Sequence, residues 1–254
     1  MFAADMIGIH DNLHQQFCKQ MDGKYDEEEE MFLRQVAKSY AFCENSIAVL
    51  SNMHTDCSHI YFGRTGEILG LAKEGDYRIL DSVCEEEVFL RVHPDDLRLR
   101  CLQELAFFRV VSTSHSADAF AWRMENTMRM MDSAGRYHPV LHRISYFPSK
   151  DSRGVSYALC LYNLTAELSS TARLVNTATG EQRKLDVEKV SLLSEREKTI
   201  IRMIDEGQSS KIIAHHLNIS KHTVDRHRQN IIQKLQTSST IEACHKARNL
   251  GLIE

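Results

Sequence analysis

The chain of 254 residues is 43% hydrophobic and 26% charged, the balance of a soluble globular protein with room for two ordinary domains. It contains no long apolar run, and its first residues lack the pattern of a secretory signal. The seven cysteines are scattered, odd in number and never spaced as CxxC. These features predict a cytoplasmic protein with reduced thiols, and they argue against a membrane-spanning helix, a disulfide framework and a zinc ribbon.

The net charge of −4 is unevenly distributed along the chain. Residues 192–254 carry ten Lys and Arg against seven Asp and Glu, a net charge of +3, so the rest of the chain carries about −7. A basic module on an acidic body is typical of a protein that brings one end to a polyanion.

Residues 1–45 are predicted to form a helical extension. An acidic block, Asp26–Glu30, precedes the apolar pattern of Met31–Tyr40. Carboxylates at a helix start are favoured by the positive end of the helix dipole, so we interpret the block as a solvated first turn.

Residues 46–168 are predicted to form a second domain, rich in strands. β-branched and aromatic residues predict strands at Ile47–Ser51, His59–Phe62, Trp122–Met131, His138–Phe147 and Val155–Tyr162. Polar, turn-like segments separate the last three strands, which predicts an antiparallel meander. Apolar residues at helical spacing predict a helix over Pro94–Val110, and Asp95 and Asp96 suit its first turn.

Residues 169–191 are polar and are predicted to connect the domains. Within them, Leu174–Asn176 and Arg183–Leu185 are expected to pair as a small hairpin around Gly180. From Leu193 onward the pattern is helical throughout.

Residues 192–254 carry the strongest local signals. Ser194 and Glu197 have the spacing of a capping box, in which a hydroxyl and a carboxylate each satisfy a free backbone N–H at a helix start. Gly207 predicts the end of this first helix, because glycine tolerates the left-handed conformation there.

Three further helices follow in the same region. The second begins at Ser209 or Ser210 and ends at the turn Asn218–Ser220, the third spans Lys221–Leu235, and the fourth spans Ile241–Asn249. Two helices joined by a tight turn, the second with a polar outer face, form the helix-turn-helix that places a helix in the major groove of DNA.

Several short segments of this region also share the spacing of a known family. They are Leu193–Glu197, Glu206–Gly207, Lys211–Ala214, Leu217–Ser220, Thr223–Val224, His227–Arg228, Asn230–Ile231, Lys234–Leu235 and Gly251–Ile253. Together they resemble the LuxR-type (GerE-like) four-helix DNA-binding domain. The resemblance implies a homodimer on double-stranded DNA, with the fourth helix as the dimer contact and RNA polymerase as a further candidate partner.

The resemblance implies roles for individual residues as well. Asp225, Arg226 and Gln229 are expected to face bases, and Lys211 and Thr223 to hold phosphates. The candidate DNA contacts are Lys211, Lys221, His222, Thr223, Asp225, Arg226, Arg228 and Gln229. The candidate dimer contacts are Ile241, Cys244, His245 and Arg248.

Two residues depart from the family pattern. Asp225 is acidic where the family offers a neutral or basic residue, so it either accepts from a cytosine amino group or pairs with Arg228, and we favour the pairing. Ile212 stands where the family often has a polar residue, and we interpret it as an added apolar contact. No metal site is predicted, because His222 and His227 are five residues apart and point to different faces of their helix.

The order of elements in residues 46–168 resembles a PAS domain: two short strands, a helical middle, the segment Arg91–Leu97 with its His-Pro-Asp-Asp run, and three long strands. The resemblance implies a domain that senses a small molecule or holds a dimer together. A phosphoacceptor receiver does not match the strand order. An acyl-homoserine-lactone sensor does not match a chain whose one tryptophan is Trp122.

No cofactor is predicted for the PAS-like domain, because the reactive-cysteine segment that flavin chemistry needs is absent. His93 is the candidate haem ligand, and we favour a role for it in supporting the helix start. The methionines of one strand, Met124, Met128, Met130 and Met131, form either an adaptable ligand surface or core packing, and we favour the packing. A small-molecule ligand of unknown identity and an ordinary filled core are the two alternatives.

The chain as a whole is predicted to be α+β, with a PAS-like antiparallel sheet and flanking helices followed by an all-α four-helix LuxR-type helix-turn-helix domain. The predicted function is sequence-specific DNA binding by a dimer under control of the PAS-like domain. The alternative is a signalling module whose C-terminal domain binds a protein, which Asp225 and the acidic body support. An enzyme is not predicted, because residues 46–168 lack a nucleophile elbow, metal-ligand spacing and a phosphate-binding glycine loop.

Overall fold

The structure of the protein is a computed structural model, which describes residues 25–113, 117–148, 154–169, 171–185, 193–235, 237–249 and 252–253. These residues belong to two compact units, one built on a sheet and described up to Leu185, the other helical and described from Leu193. None of the helices in these ranges has the length and apolar character needed to cross a membrane.

In the sheet unit, a helix and a series of short strands and helices are followed by five consecutive strands. Its elements are α1 (Glu27–Cys43), β1 (Ile47–Asn52), β2 (Cys57–Phe62), α2 (Arg64–Ile68), β3 (Tyr77–Leu80), α3 (Glu86–Phe89), α4 (Pro94–Thr113), a 3₁₀ helix (Ala117–Ala121), β4 (Trp122–Met131), β5 (Tyr137–Pro148), β6 (Val155–Leu164), β7 (Arg173–Asn176) and β8 (Gln182–Lys184).

All of these strands form one antiparallel sheet in the order β3-β2-β1-β6-β5-β4-β7-β8. Strand β1 lies between β2 and β6 and so connects strands from the beginning and the end of the unit's sequence. Its Ala48 lies opposite Tyr61 of β2 on one side and Leu161 of β6 on the other. The five predicted strands are present, and the meander β4-β5-β6 is confirmed. The α+β fold with a PAS-like sheet is therefore the fold that the sequence predicted.

Helix α1 covers one face of the sheet. It begins at the acidic block, where the Asp26 side chain accepts hydrogen bonds from two backbone N–H groups of the first turn. Leu33 and Ala37 pack into an apolar cluster with β1 and β6. Glu30, which the sequence placed in a solvated turn, is instead buried and accepts a hydrogen bond from His59 at 2.9 Å. The helix is thus a packed layer of the sheet unit.

Helix α4 covers the opposite face. Arg100 donates to the Tyr162 hydroxyl on β6 at 2.9 Å, and Tyr162 points away from its neighbour Leu161 because side chains alternate along a strand. The start of α4 is held by His93, whose carbonyl accepts from the Leu97 N–H at 2.9 Å and whose Nδ1 accepts from a second backbone N–H at 3.3 Å. His93 therefore has the helix-supporting role that the sequence favoured.

The methionines of β4 lie in the core. Met124, Met128 and Met130 are buried at alternating positions, and Met131 is half-buried. Their burial agrees with the packing interpretation.

The hairpin expected within the connector is part of the sheet. It is present as β7 and β8, each beginning one residue earlier than predicted, and β7 pairs along β4 with Val175 opposite Arg123. The Arg183 guanidinium of β8 lies 3.8 Å from the centre of the Trp122 ring of β4, and this cation–π contact stabilises the packing of the hairpin against β4. The sheet unit therefore continues past residue 168, its predicted end, because the edge of β4 offers backbone groups for a further strand to pair with.

The helical unit contains the four predicted helices, α5 (Glu195–Asp205), α6 (Ser210–His216), α7 (Lys221–Leu235) and α8 (Thr240–Asn249). Most of the apolar residues whose spacing predicts the inner faces of these helices are buried: Ile200, Ile201, Ile213, Val224, Ile231 and Leu235. Two others, Ile204 and Leu217, are half-buried.

Candidate DNA-binding surface

A complete capping box fixes the start of α5. Ser194 Oγ accepts from the Glu197 N–H at 3.2 Å, and Glu197 Oε2 accepts from the Ser194 N–H at 2.8 Å. The same carboxylate accepts from Lys234 Nζ of α7 at 2.7 Å, so it ties the two helices together. Burial raises the pKa of Glu197, but the hydrogen bonds from Lys234 and Ser194 outweigh burial and hold the pKa below its usual range.

The turn between α6 and α7 is held by side-chain caps. Ser209, one of the two candidates, caps α6 by accepting from the backbone N–H three residues on at 3.4 Å. Asn218 adopts a φ of 51° in the turn, a left-handed conformation that Asn tolerates. The Ser220 hydroxyl then accepts from the Thr223 N–H at 3.0 Å and lies 2.8 Å from the Thr223 hydroxyl. These bonds set the direction in which α7 leaves the turn.

The outward side of α7 carries exposed polar side chains. Lys221, His222, Arg226 and Gln229 are all exposed, and the last three share one face because they are spaced three or four residues apart. Lys211 is exposed on α6. Arg and Gln present the paired hydrogen-bonding groups that match purine edges in the major groove, so this face can read base sequence.

Asp225 lies beside this face, and its charge is matched within the unit. Its Oδ2 is 3.6 Å from Lys221 Nζ. The Ser210 hydroxyl, which donates to Asp225, is the main cause of the lowered pKa of this carboxyl, and Lys221 and Arg228 lower it further against the effect of burial. Lys221 and Ser210 thus compete with any cytosine amino group for the carboxylate.

Arg228 does not form the ion pair with Asp225 that the sequence favoured. It is half-buried, and it donates from Nη1 to Ser210 Oγ at 3.1 Å and from Nη2 to Thr240 Oγ1 at 3.3 Å. Two residues advance an α-helix by roughly 200°, so Arg228 points away from Arg226 and from the exposed face. The structure therefore gives Arg228 a packing role where the sequence predicted a DNA contact. Ser210 and Thr240 were missed, since no local pattern marks a hydroxyl as the partner of a distant arginine.

Helix α8 divides the candidate dimer contacts into two sets. Ile241, His245 and Arg248 are exposed along one side, with Ile241 73% exposed. Arg248 also donates to Asp205 at 2.9 Å. Cys244 is instead buried, with its Sγ 3.9 Å from a backbone carbonyl of α5. The turn of the helix thus removes Cys244 from the outward set.

The histidines of the helical unit differ in exposure, and the ring centroids of neighbouring His215 and His216 lie 6.5 Å apart. His215 and His216 are exposed and His227 is half-buried. Within the part of the chain that the structure describes, no group of three or more His, Cys, Asp or Glu side chains is placed to hold a metal ion.

Comparison with known proteins places the helical unit in a family. The family "Bacterial regulatory proteins, luxR family" (GerE) matches residues 191–247. The uncharacterized response regulatory protein YgeK of Escherichia coli K12 is 37% identical over 75 residues, which are 27% of this chain and 51% of YgeK. The virulence factors putative positive transcription regulator BvgA of Bordetella pertussis is 26% identical over 170 residues, which are 65% of this chain and 69% of BvgA.

A solved structure of the phage VqmA–DPO complex is also similar, at 15% identity and a TM-score of 0.32, over 89% of this chain and 92% of that one. The chain spans about half the length of YgeK. The family match covers the capped α5, the helix-turn-helix of α6 and α7, and most of α8. The helical unit is therefore a helix-turn-helix domain of the luxR family of bacterial regulatory proteins.

Proposed function

We propose that the chain is a cytoplasmic transcription regulator that binds double-stranded DNA sequence-specifically as a homodimer, with the sheet unit controlling the binding. The supporting observation is the exposed row His222, Arg226 and Gln229, carried by a helix whose start is fixed by the Ser220–Thr223 cap. The luxR-family match of the same helices supports the same reading.

In the proposed mechanism α7 enters the major groove, and no catalytic step takes place. Arg226 supplies a bidentate contact to a base edge, with His222 and Gln229 beside it. Lys211 and Lys221 neutralise phosphates on either side, which makes the affinity salt-dependent. Two copies of α7 would occupy successive major grooves, on half-sites roughly 34 Å apart.

The proposed dimer contact is the exposed stripe of α8. Ile241 is a large apolar side chain that is exposed to solvent, and the polar residues His245 and Arg248 lie beside it. An apolar centre with a polar rim is the usual composition of a protein interface. RNA polymerase, the further partner expected from the sequence, stays a prediction.

The rival hypothesis, a domain that binds a protein, drew support from Asp225 and the acidic body. The Lys221 and Ser210 contacts of Asp225 leave less free negative charge on this surface than the sequence suggested. Binding to random duplex DNA at increasing salt separates the two hypotheses, since only a phosphate-binding protein loses affinity steeply.

Selection of bound duplexes from a random pool, followed by affinity measurements, tests the proposal. Arg226→Ala should relax base preference at one position, whereas Lys211→Ala should weaken binding evenly across sequences. If neither substitution changes affinity or the selected sequence, the proposed docking is wrong.

A further inference from the structure

An open cleft lies on the side of the sheet that α1 covers, between that helix and the residues that join β2 to β3. It has a volume of about 680 Å³, which lies within the roughly 300–1,000 Å³ of typical small-molecule sites. Helix α1 forms one wall, residues 74–77 form the other, and the end of β2 completes the lining. The cleft is thus separate from the core that lies beneath α4.

Backbone contacts hold both walls of the cleft in place. The Gly75 N–H donates to the Phe62 carbonyl at 2.8 Å, and the Phe62 N–H donates to the Asp76 carbonyl at 3.0 Å. On the other side α1 packs directly on the backbone of Gly63, where an added Cβ would lie 2.3 Å from the Ala41 carbonyl oxygen. Since the walls are already ordered, a guest pays little conformational entropy to bind between them.

The α1 wall carries two positive charges. Arg34 donates from Nε to the Tyr61 hydroxyl at 3.4 Å and from Nη2 to the Tyr77 hydroxyl at 3.1 Å. A tyrosine hydroxyl is uncharged near neutral pH, so these bonds orient the guanidinium without balancing its charge. Lys38 lies one turn further along the helix and is exposed. Within the described ranges of the chain, neither cation has a carboxylate at ion-pair distance.

The opposite wall carries two negative charges. Asp76 Oδ2 accepts from the Lys73 N–H at 3.0 Å, which shapes the loop, and Oδ1 accepts no hydrogen bond from a described residue. Glu74 lies 3.8 Å from Arg64, but both side chains are exposed, so this pair contributes little. Neither acid pairs with a cation of α1 in the part of the chain that the structure describes. The cleft therefore separates a positive wall from a negative one.

Aromatic side chains supply the apolar part of the lining. Tyr61 of β2 and Tyr77 of β3 pack with their ring centroids 5.0 Å apart, and Tyr77 is partly exposed. Phe42, on the α1 wall, is 83% exposed. Burial of an exposed phenylalanine ring is favourable, so a guest that covers Phe42 gains affinity.

We propose that this cleft binds a zwitterion that carries an apolar ring, such as a free aromatic α-amino acid. Arg34 and Lys38 hold its carboxylate, Asp76 accepts from its ammonium group, and its ring packs against Tyr77 and Phe42. A ligand of single charge leaves one wall unmatched, whereas a zwitterion complements both walls. The inference adds a binding site to the proposed regulator and does not depend on its binding to DNA.

The test uses the full-length protein and three probes with the same phenyl ring. They are L-phenylalanine, 3-phenylpropanoate, which lacks the ammonium group, and 2-phenylethylamine, which lacks the carboxylate. Calorimetry should show that L-phenylalanine binds at least about tenfold more tightly than either of the others, because each loses one set of charge-assisted hydrogen bonds. Absence of L-phenylalanine binding overturns the proposal, and so does equal or tighter binding of either singly charged probe.

Lys38→Met removes the positive charge and keeps the apolar stem. It should weaken L-phenylalanine binding by about tenfold and leave the affinity for 2-phenylethylamine unchanged, because that probe has no carboxylate. Lys73→Met is the matched control, since Lys73 is exposed and does not line the cleft. Unchanged L-phenylalanine affinity in Lys38→Met, or an equal loss in Lys73→Met, refutes the site. If Lys38→Met does not fold, the ranking of the three probes on the wild type decides.

Asp76→Asn is the converse substitution, which keeps an oxygen for the Lys73 N–H but removes the negative charge. It should weaken L-phenylalanine binding by about tenfold and leave the affinity for 3-phenylpropanoate unchanged. An equal loss for both probes would overturn the role of Asp76 as the partner of the ammonium group.

A second copy of the chain is the rival occupant of the cleft, because it too could cover Phe42. Sedimentation velocity on the wild type and on Phe42→Ser separates the two. If Phe42→Ser abolishes self-association and L-phenylalanine does not bind the wild type, the cleft is a contact between copies and the proposal is wrong. Duplex binding by the same samples tests the regulator separately, so loss of one activity without the other shows which proposal has failed.

Discussion

The Arg228 guanidinium donates to the Ser210 hydroxyl at 3.1 Å, and this bond holds α7 against the helix that precedes it. A helix-turn-helix reads DNA only while its two helices keep their angle, because the polar face of the second helix must meet the groove as the first crosses the backbone. The orientation of the exposed face of α7 thus depends on Arg228, a side chain that points away from that face.

Arg228→Met should destabilise the helical unit by about 1–3 kcal/mol, because it removes the hydrogen bonds to Ser210 and Thr240 while keeping the apolar stem. Chemical denaturation followed by far-ultraviolet circular dichroism measures the change. Arg226→Met is the matched control, since it removes the same charge from an exposed site of the same helix and should change stability by less than about 0.5 kcal/mol. Equal losses in the two variants would contradict the packing role of Arg228.

Asp225→Asn should tighten binding to duplex DNA and steepen its salt dependence. The substitution frees Lys221, which is 3.6 Å from the carboxylate, to neutralise a phosphate, and one added phosphate contact increases the slope of log K against log salt by about one. Fluorescence anisotropy over a salt series gives the slope.

Asp205→Asn is the control for that experiment, because it removes an equal charge beside Arg248 of α8, away from the face of α7. A steeper slope in both variants would show that only the net charge matters. An unchanged slope in Asp225→Asn would show that Lys221 already binds phosphate.

Acid should weaken the helical unit partly through Glu197. Its folded-state pKa lies below the usual value, so the carboxylate contributes stability that is fully present above the unfolded-state pKa and is lost as the pH falls through the folded-state pKa. The melting temperature of the wild type should therefore fall on acidification, and that of Glu197→Gln should start lower near neutral pH and fall less. Glu206→Gln, at an exposed site, should follow the wild type. Parallel curves for wild type and Glu197→Gln would rule this carboxylate out as the cause.

Ile241→Asp should weaken self-association while leaving the fold intact. The side chain is exposed in the single chain, and burying an isoleucine at an interface contributes about 1.5–3 kcal/mol, so the dimer constant should fall by at least about tenfold. Sedimentation velocity measures the association and circular dichroism the fold. Ile212→Asp, at the other exposed isoleucine of the helical unit, should leave the dimer unchanged. If the dimer persists in Ile241→Asp but is lost in Ile212→Asp, the interface lies on α6 and not on α8.

The elements that the sequence located well are those with a local periodic signal. Trp122–Met131 was predicted with the bounds it has, and the capping box of Ser194 and Glu197 formed as expected. The hairpin was placed within one residue, but its attachment to β4 was not foreseen. Local turn chemistry decides that a hairpin forms, whereas the edge strand it joins belongs to another part of the chain.

The errors in the candidate site have one kind of cause. Cys244 was expected to face outward and is buried, and Asp225 was expected to pair with Arg228 but lies against Lys221. Each residue lies on the helix that the sequence predicted. The error was in which side of that helix packs against a neighbouring helix. The rotation of a helix is set by packing against distant segments.

The amino-acid sequence by itself determined where the helices and strands lie, that the last four helices form a helix-turn-helix domain, and that Arg226 and Gln229 stand on its polar side, because periodicity, caps and turns act over a few residues. Only the tertiary structure decided that Arg228 holds helices together, that Glu30 of α1 is buried against the sheet, and that Arg100 and His142 both contact Tyr162 inside the sheet unit. Such contacts join residues far apart in the chain, and no local pattern records them, since burial and hydrogen-bond partners are fixed only when whole elements pack.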